Sequence, residues 1–308
     1  MGRFIKLILN AGEGGSIVNA ARAKHGLPTY EDPTTNWANA SVIVAYSWGL
    51  DVSRRVCPAT HVVGFISTPF EESSTLPKQD VEMKKYLDNH SGGVVYVALG
   101  TFGALEQDTL DGLVIGLDNW TKMSQKRGVI FAVNDFGRSQ MDLSNIPSSI
   151  QVEDWVNQKM ILHHIYTKVF VTHAGLGSLS ESIDAITPML AFPLFGDQMS
   201  NSYRLQEAGA ALALHWREEP VTAATVTDHL VRLSTDPSFV EATKRLYQIS
   251  KREGGAVRAA DIVEDLMMFG PPTYLVPSND SVPFSASTNL DVYIVILLGM
   301  ASFLFAIV

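Results

Sequence analysis

Short apolar runs alternate with longer stretches of helical periodicity along the chain from Gly93 onward. Runs of four to six β-branched or aromatic residues are typical of buried strands, and the wider spacing from Leu110 to Trp120 is typical of a helix. The predicted strands are Val94 to Leu99, Val129 to Val133, Lys168 to Thr172, Met189 to Phe192, and Ala211 to Leu214. This alternation predicts an α/β fold with a parallel sheet covered by helices on both faces and ligands at the carboxyl ends of its strands.

One predicted strand breaks at His173 into small residues that open a helical pattern. The first N–H groups of a helix have no partner within the helix, and the helix dipole adds roughly half a positive charge there. Gly175 and Gly177 would let an anion approach the backbone closely. This turn therefore predicts a phosphate site.

The end of the chain carries a second apolar feature, an uncharged run from Val292 to Val308 behind a linker from Gly270 to Asn289 that is rich in Pro, Ser and Asn. As a helix the run would span roughly 25 Å, near the lower limit for crossing a membrane. The alternative is a buried core helix. We interpret residues 290–308 as a transmembrane helix, with its cytoplasmic tail absent from this sequence.

Composition narrows the class of protein. With 308 residues and 46% hydrophobic content, the chain can fold as one large domain or two ordinary ones. The net charge of −9 and the short basic pairs argue against nucleic-acid binding. Cys57 is the single cysteine, so no intrachain disulfide can form, and the amino terminus shows no signal-peptide pattern.

Three segments together resemble the signature of a known family. They are Trp155 and Gln158, the run VFVTHAGLGSLSE from Val169 to Glu181, and FPLFGDQ from Phe192 to Gln198. Their order and spacing closely resemble the UDP-glycosyltransferases, enzymes with two Rossmann-like halves in the GT-B fold. The resemblance implies the GT-B carboxyl-terminal half here.

The resemblance also implies a role for each residue at the uridine end of the donor. Trp155 would stack on uracil, Gln158 would hydrogen-bond the ribose, and Glu181 would take the ribose hydroxyls. A Trp face is a rigid stacking platform, and a carboxylate accepts both hydroxyls of a vicinal diol.

The diphosphate and the sugar are assigned in the same way. The implied diphosphate ligands are His173 and the N–H groups and hydroxyl around Gly177 and Ser178. Gly175 is assigned to the same binding site because it would let the anion approach the backbone. Asp197 and Gln198 would grip the sugar. Thr101, after the first predicted strand, would donate its hydroxyl to the phosphates, or would only cap the next helix.

Two positions depart from the family pattern. Asn157 stands where proline is usual before the Gln, and Gly177-Ser178 replaces the usual Asn-Gly. The second departure removes a side-chain amide near the phosphates.

Competing local motifs explain less. Gly175-Leu176-Gly177, with Asp197 about twenty residues on, approaches a dinucleotide fingerprint but lacks its third glycine. A serine nucleophile elbow would need glycine at Ser180. His163 and His164 are adjacent and point apart on a helix, so a zinc site is not expected.

The domain organisation follows from these features. Residues 1–70 are interpreted as a remnant of the acceptor-binding domain with the interdomain linker, 71–269 as the UDP-sugar-binding domain, 270–289 as a linker, and 290–308 as the membrane helix. In the resembling family the amino-terminal half supplies a histidine base, which has no counterpart here. His25 and His61 are interpreted as structural, so no catalytic residue is assigned, and the sequence looks like the carboxyl-terminal piece of a larger enzyme.

The resemblance implies transfer of a hexosyl group from a UDP-sugar to a hydroxyl of a small lipophilic acceptor, with inversion and with no metal or cofactor. This isolated piece is expected to be inactive. The alternative is a non-catalytic donor-binding subunit or pseudoenzyme that needs a separate acceptor-binding chain. Either interpretation is compatible with a homo-oligomer or with a separate acceptor-domain partner. The protein is predicted to be a single-pass membrane protein of the endoplasmic reticulum.

Overall fold

The computed structural model describes residues 19–20, 22–26, 41–52, 54–70, 76–101 and 103–270. The chain divides into two compact units, the first made of residues 1–43, 54–61 and 262–308 and the second of residues 44–53 and 62–261. Residues 290–308, the predicted membrane helix, lie outside the described residues, and among the described helices none combines the length and apolarity needed to cross a membrane.

Two short strands belong to the segment before the main sheet. Strands β1 (Val42–Val44) and β2 (Thr60–Val62) pair in a two-stranded sheet. In the first unit, the Nε2 atom of His61 lies 3.1 Å from the Ser41 hydroxyl, and His25 is exposed in a turn. The structural interpretation of these two histidines stays a prediction.

The second unit is built on a parallel sheet in the order β5-β4-β3-β6-β7-β8 among the described strands. Its strands are β3 (Gly93–Ala98), β4 (Arg127–Ala132), β5 (Ile150–Glu153), β6 (Thr167–Thr172), β7 (Met189–Ala191) and β8 (Ala211–Ala213). The chain builds outward from β3 to β5 and then returns to place β6 on the other side of β3. The loops after β3 and β6 therefore diverge, which creates a crevice where ligands of such folds bind.

Helices connect these strands and also lie before the first and after the last of them. In chain order they are α1 (Lys78–Asn89), α2 (Gln107–Lys122), α3 (Asp135–Gln140), α4 (Gln158–Leu162), α5 (Leu176–Asp184), α6 (Gln198–Glu207), α7 (Ala223–Thr235), α8 (Pro237–Glu253) and α9 (Gly255–Phe269). The predicted helix from Leu110 to Trp120 is confirmed as part of α2.

The core forms on both faces of the sheet because alternate residues of each strand point to opposite sides. On one face Val95, Val129 and Val171 pack with α2 and α7, through residues such as Leu113 and Leu230. The opposite face has its own cluster, which packs strand residues with α1, α4 and α5: Val94, Tyr96, Ile130, Phe170, Leu87, Ile161 and Leu179.

The predicted α/β fold with a parallel sheet is confirmed, and each of the five predicted strands is present within one to two residues at its ends. Strand β5 was not predicted. Its sequence, Ile-Gln-Val-Glu, is short and carries only two apolar residues.

Helix α5 is fixed at its carboxyl end by a charged cluster. The Asp184 carboxylate lies 3.7 Å from His163 Nε2 and 2.7 Å from Lys251 Nζ. The close His163 side chain, together with Lys251, lowers the pKa of Asp184 to about 2, against the opposing effect of burial. Asp184 thus ties α5 to α4 and α8, and the helix that begins at the predicted phosphate turn is held in place.

Candidate functional site

A cavity of about 310 Å³ opens at the carboxyl ends of β3, β4 and β5. This volume is near the lower end of the range for small-molecule sites. Five of the residues that the resemblance assigns to substrate binding line it: Thr101, Trp155, Gln158, Ser178 and Glu181. Segments that are far apart in sequence therefore meet in one cavity.

Trp155 stands on the cavity rim with its side chain in solvent. It follows β5, and 78% of its surface is exposed. The Gln79 amide donates to the Trp155 carbonyl at 2.6 Å and so holds the main chain of this segment. A large aromatic side chain left exposed beside a cavity is available as a stacking surface.

Gln158 and Glu181 form a hydrogen-bonded pair in the cavity wall. The Gln158 Nε2 group donates to Glu181 Oε2 at 2.7 Å, and the buried Tyr96 hydroxyl donates to Gln158 Oε1 at 3.1 Å. Burial raises the pKa of Tyr96, so its hydroxyl remains a donor at neutral pH. Tyr96 thereby sets which way the Gln158 amide faces.

Asn157 stands directly before α4, where the family pattern has proline. It is the N-cap of α4, where its Oδ1 accepts a hydrogen bond from the Met160 N–H at 3.2 Å. Its Nδ2 donates to Asp80 at 3.0 Å. An asparagine cap stabilises a helix start by typically about 1 kcal/mol, so this departure preserves the helix that carries Gln158.

The turn between β6 and α5 holds His173 beside two glycines. A Cβ atom added at Gly100 would lie 2.8 Å from the His173 Nε2, and one at Gly175 would collide with the same nitrogen. Burial lowers the pKa of His173, while a hydrogen bond with the Ala98 backbone and the Asp197 carboxylate act in the opposite direction. The imidazole is therefore neutral at pH 7, and its Nδ1 is buried with no hydrogen-bond partner among the described residues.

Ala174, next to His173, has a left-handed backbone with φ of +61° and is fully buried. For a residue other than glycine this conformation costs roughly 1–2 kcal/mol. Outliers of this kind concentrate at functional turns, where the surrounding structure holds them.

Helix α5 begins at Leu176 with Gly175 as its N-cap, and no side chain of the described chain caps it. Its first N–H groups can therefore serve an anion. Gly177 is exposed, and a Cβ atom there would meet nothing within 4 Å, whereas Ser178 reaches the cavity. The turn thus has the exposed backbone that the sequence predicted.

Thr101 lies in the loop between β3 and α2 and is exposed. Its carbonyl accepts a hydrogen bond from Asn134 Nδ2 at 2.9 Å, and Asn134 Oδ1 accepts from the Gly137 N–H at 3.0 Å. Asn134 therefore joins the loops after β3 and β4. Thr101 lines the cavity. The next helix, α2, has Glu106 as its N-cap and, among the described residues, no side-chain cap, so the capping alternative is wrong and the phosphate role of Thr101 stays a prediction.

Asp197 and Gln198 lie outside the cavity wall, at the start of α6. Gln198 is buried, and its Oε1 accepts from the N–H groups of Leu194 and Phe195 at 2.8 and 3.0 Å. Its oxygen therefore holds the turn before α6. Asp197 is exposed, and its Oδ2 accepts from Asn201 Nδ2 at 2.9 Å.

The structure adds residues to the site that the sequence did not indicate. Tyr96, Asn134 and Asp154 line the cavity, and Asp154 is paired with Arg138 at 2.6 Å. Asn201 is a further addition, because its amide donates to Asp197 at the start of α6. The sequence could have indicated this contact, since residues four apart in a helix share a face. Within the described ranges, no group of three His, Cys, Asp or Glu side chains is arranged to hold a metal ion.

Comparison with known proteins identifies related chains. The family model described as UDP-glucoronosyl and UDP-glucosyl transferase matches residues 17–257. UDP-glycosyltransferase FPY2 of Fusarium mangiferae is 28% identical over 249 residues, which is 75% of this chain and 43% of that protein. A UDP-glycosyltransferase of Talaromyces amestolkiae is 26% identical over 287 residues, 82% of this chain and 53% of that protein.

The fold has a similar solved structure. The glycotransferase of kitacinnamycin superposes with a TM-score of 0.61 at 20% sequence identity, covering 86% of this chain and 65% of that one. This likeness concerns the fold. The chain spans about half the length of the two fungal relatives.

Proposed function

Because the chain belongs to the UDP-glycosyltransferase family, we propose that its cavity binds the UDP-sugar donor of a hexosyl transfer to a hydroxyl of a small lipophilic acceptor. The observation that carries this proposal is the exposed Trp155 face beside the Gln158–Glu181 pair in one cavity. Uracil stacks on the indole, and the ribose hydroxyls are taken by Glu181.

Glu181 can accept hydrogen bonds from the ribose in addition to the one from Gln158. Its Oε2 accepts from Gln158, and a carboxylate has a second oxygen with further lone pairs. The amide of Gln158 is oriented by Tyr96, so its donor side is already turned toward Glu181. The pair is therefore arranged before the ligand arrives, which lowers the cost of binding.

The diphosphate lies at the amino end of α5. Negative charge builds on the departing UDP during transfer, and fixed N–H groups that point at this charge stabilise the transition state. The neutral His173 imidazole can donate one N–H group to the diphosphate. Asp197 at the start of α6 takes the sugar together with the Nε2 group of Gln198, whose Oε1 is already held by the N–H groups of Leu194 and Phe195.

The acceptor hydroxyl must lose its proton to a base during inversion. In this proposal that base lies on an acceptor-binding half, either as part of a longer polypeptide or as a separate chain. The second form would make this protein a donor-binding subunit, and the half-length match to its relatives is compatible with both.

A comparison of UDP with 2′-deoxy-UDP tests the proposal at Glu181. The wild type is expected to bind UDP more tightly, since a hydrogen bond to a charged group contributes about 1.5–3 kcal/mol, roughly a tenfold to hundredfold in affinity. Glu181→Gln should weaken UDP binding and remove most of the preference for the ribose hydroxyl. Calorimetry measures both.

Asp154→Asn is the matched control, because Asp154 is another carboxylate in the cavity wall but is paired with Arg138. It should keep the preference for UDP over the deoxy ligand. A wild type that binds both ligands equally, or a Glu181→Gln variant with an unchanged preference, would contradict the ribose assignment.

We further propose that residues 290–308 anchor the protein in a membrane, as a single-pass protein of the endoplasmic reticulum. The support is the uncharged run from Val292 to Val308 behind a polar linker. Carbonate-resistant membrane association should be lost when the chain is cut after Asn289. If the uncut chain stays monomeric in solution without detergent, the run is a core helix and the anchor is wrong.

A further inference from the structure

Asn201 connects two parts of the donor site that are distant in sequence. It lies on α6 and is 3% exposed. Its Nδ2 group donates to the Ala174 carbonyl at 3.0 Å and to Asp197 Oδ2 at 2.9 Å. One buried amide thus contacts both the turn that carries His173 and the carboxylate at the start of α6.

The Ala174 end of this connection is a strained residue held on both sides. Its N–H donates to Thr172 Oγ1 at 3.3 Å, and its carbonyl accepts from Asn201. Because Ala174 has a left-handed backbone, the direction of His173 before it and of the α5 start after it depends on these two side chains.

The opposite end of Asn201 is fixed as well. The Tyr46 hydroxyl donates to Asn201 Oδ1 at 3.3 Å, and Arg204 Nη1 donates to the Tyr46 oxygen at 3.4 Å. Arg204 Nη2 in turn lies 3.6 Å from Asp51 Oδ1. Since the Asn201 oxygen is occupied by a donor from Tyr46, its amide nitrogen must face Ala174 and Asp197.

We propose that Asn201 is a positioning residue that holds the His173 turn and Asp197 in one geometry, so that the diphosphate and the sugar of a bound UDP-sugar are contacted together. This inference rests on the proposed donor site. Asn201 itself touches no ligand in the proposal. It acts through Ala174 and Asp197.

Asn201→Asp tests the inference with almost no change of volume. It keeps the acceptor for Tyr46 but puts a carboxylate oxygen against the Ala174 carbonyl and Asp197. Binding of UDP-glucose is expected to weaken at least tenfold, and binding of UDP by a smaller factor, because UDP lacks the sugar that Asp197 would hold. The ratio of the dissociation constant for UDP-glucose to that for UDP, measured by calorimetry, therefore rises.

Two variants complete the design. Asn119→Asp adds the same charge on an exposed position of α2 and should leave the ratio unchanged. The exchange variant Asp197→Asn with Asn201→Asp restores a donor and an acceptor between positions 197 and 201. It should recover part of the lost UDP-glucose affinity, which a general loss of packing would not allow.

A measurement without ligand separates this inference from the proposed function. In Asn201→Ser the His173 turn should loosen, and the pKa of His173, held down by burial, should rise toward its ordinary value of 6.5 in an NMR titration. If wild-type protein binds neither UDP nor UDP-glucose, the proposed function fails and this titration alone decides the role of Asn201. A folded Asn201→Ser protein with an unchanged His173 titration, or a folded Asn201→Asp protein with an unchanged UDP-glucose to UDP ratio, would overturn the inference.

Discussion

Purified alone, the chain is expected to transfer no hexose to an acceptor hydroxyl at an enzymatic rate, whereas addition of an acceptor-binding half should restore transfer. A general base contributes typically ~10²–10⁴-fold, and the positioning of two substrates contributes further. The half can be supplied as an upstream extension of the coding sequence or as a separate chain. Product formation from UDP-glucose and a hydroxylated aromatic acceptor, followed by chromatography, measures the effect.

Restored transfer should depend on the donor site described here. His173→Ala and Asp197→Ala should both reduce it, and Asn119→Asp, on the exposed face of α2, should not. Robust glycosylation by the isolated chain would contradict this account. It would mean that His25 or His61, interpreted as structural, acts as the base.

Trp155→Ala is expected to weaken UDP binding roughly fivefold to a hundredfold, since stacking of a base on an aromatic side chain contributes about 1–3 kcal/mol. Trp155 is 78% exposed, so its removal should leave the unfolding midpoint nearly unchanged. Calorimetry with UDP and thermal unfolding of the same samples measure both quantities.

Trp155→Phe is the graded control for this effect. A phenyl ring keeps a smaller stacking face, so its UDP affinity should fall between those of the wild type and Trp155→Ala. Equal UDP affinity in the wild type and Trp155→Ala would exclude the indole as the uracil platform.

The sequence predicted the sheet well because strands buried on both faces form continuous apolar runs. The run from Val169 to Val171 is an example, and each of its residues is fully buried. Strand β5 was missed because it has no continuous apolar run. It lies at the edge of the sheet, and Ile150–Glu153 carries polar residues at alternate positions.

The parts of the site that depend on local sequence were predictable. The helix start after His173 is present as expected, with Gly175 as N-cap and Gly177 exposed. Contacts through space were not predictable. The hydrogen bond from Tyr96 to Gln158 joins residues 62 positions apart, and the one from Tyr46 to Asn201 joins residues 155 apart, so no spacing in the sequence indicates them.

The central claim, that UDP binds in the cavity beside Trp155, is tested most directly by NMR of the tryptophan indole N–H groups during a UDP titration. The chain has five tryptophans. Trp120, on α2, is fully buried, whereas Trp155 is exposed at the cavity. The Trp155 resonance, assigned with Trp155→Phe, should shift in a saturable manner while that of Trp120 stays in place. Saturable UDP binding that leaves the Trp155 resonance unmoved, or no binding at all, would contradict the account.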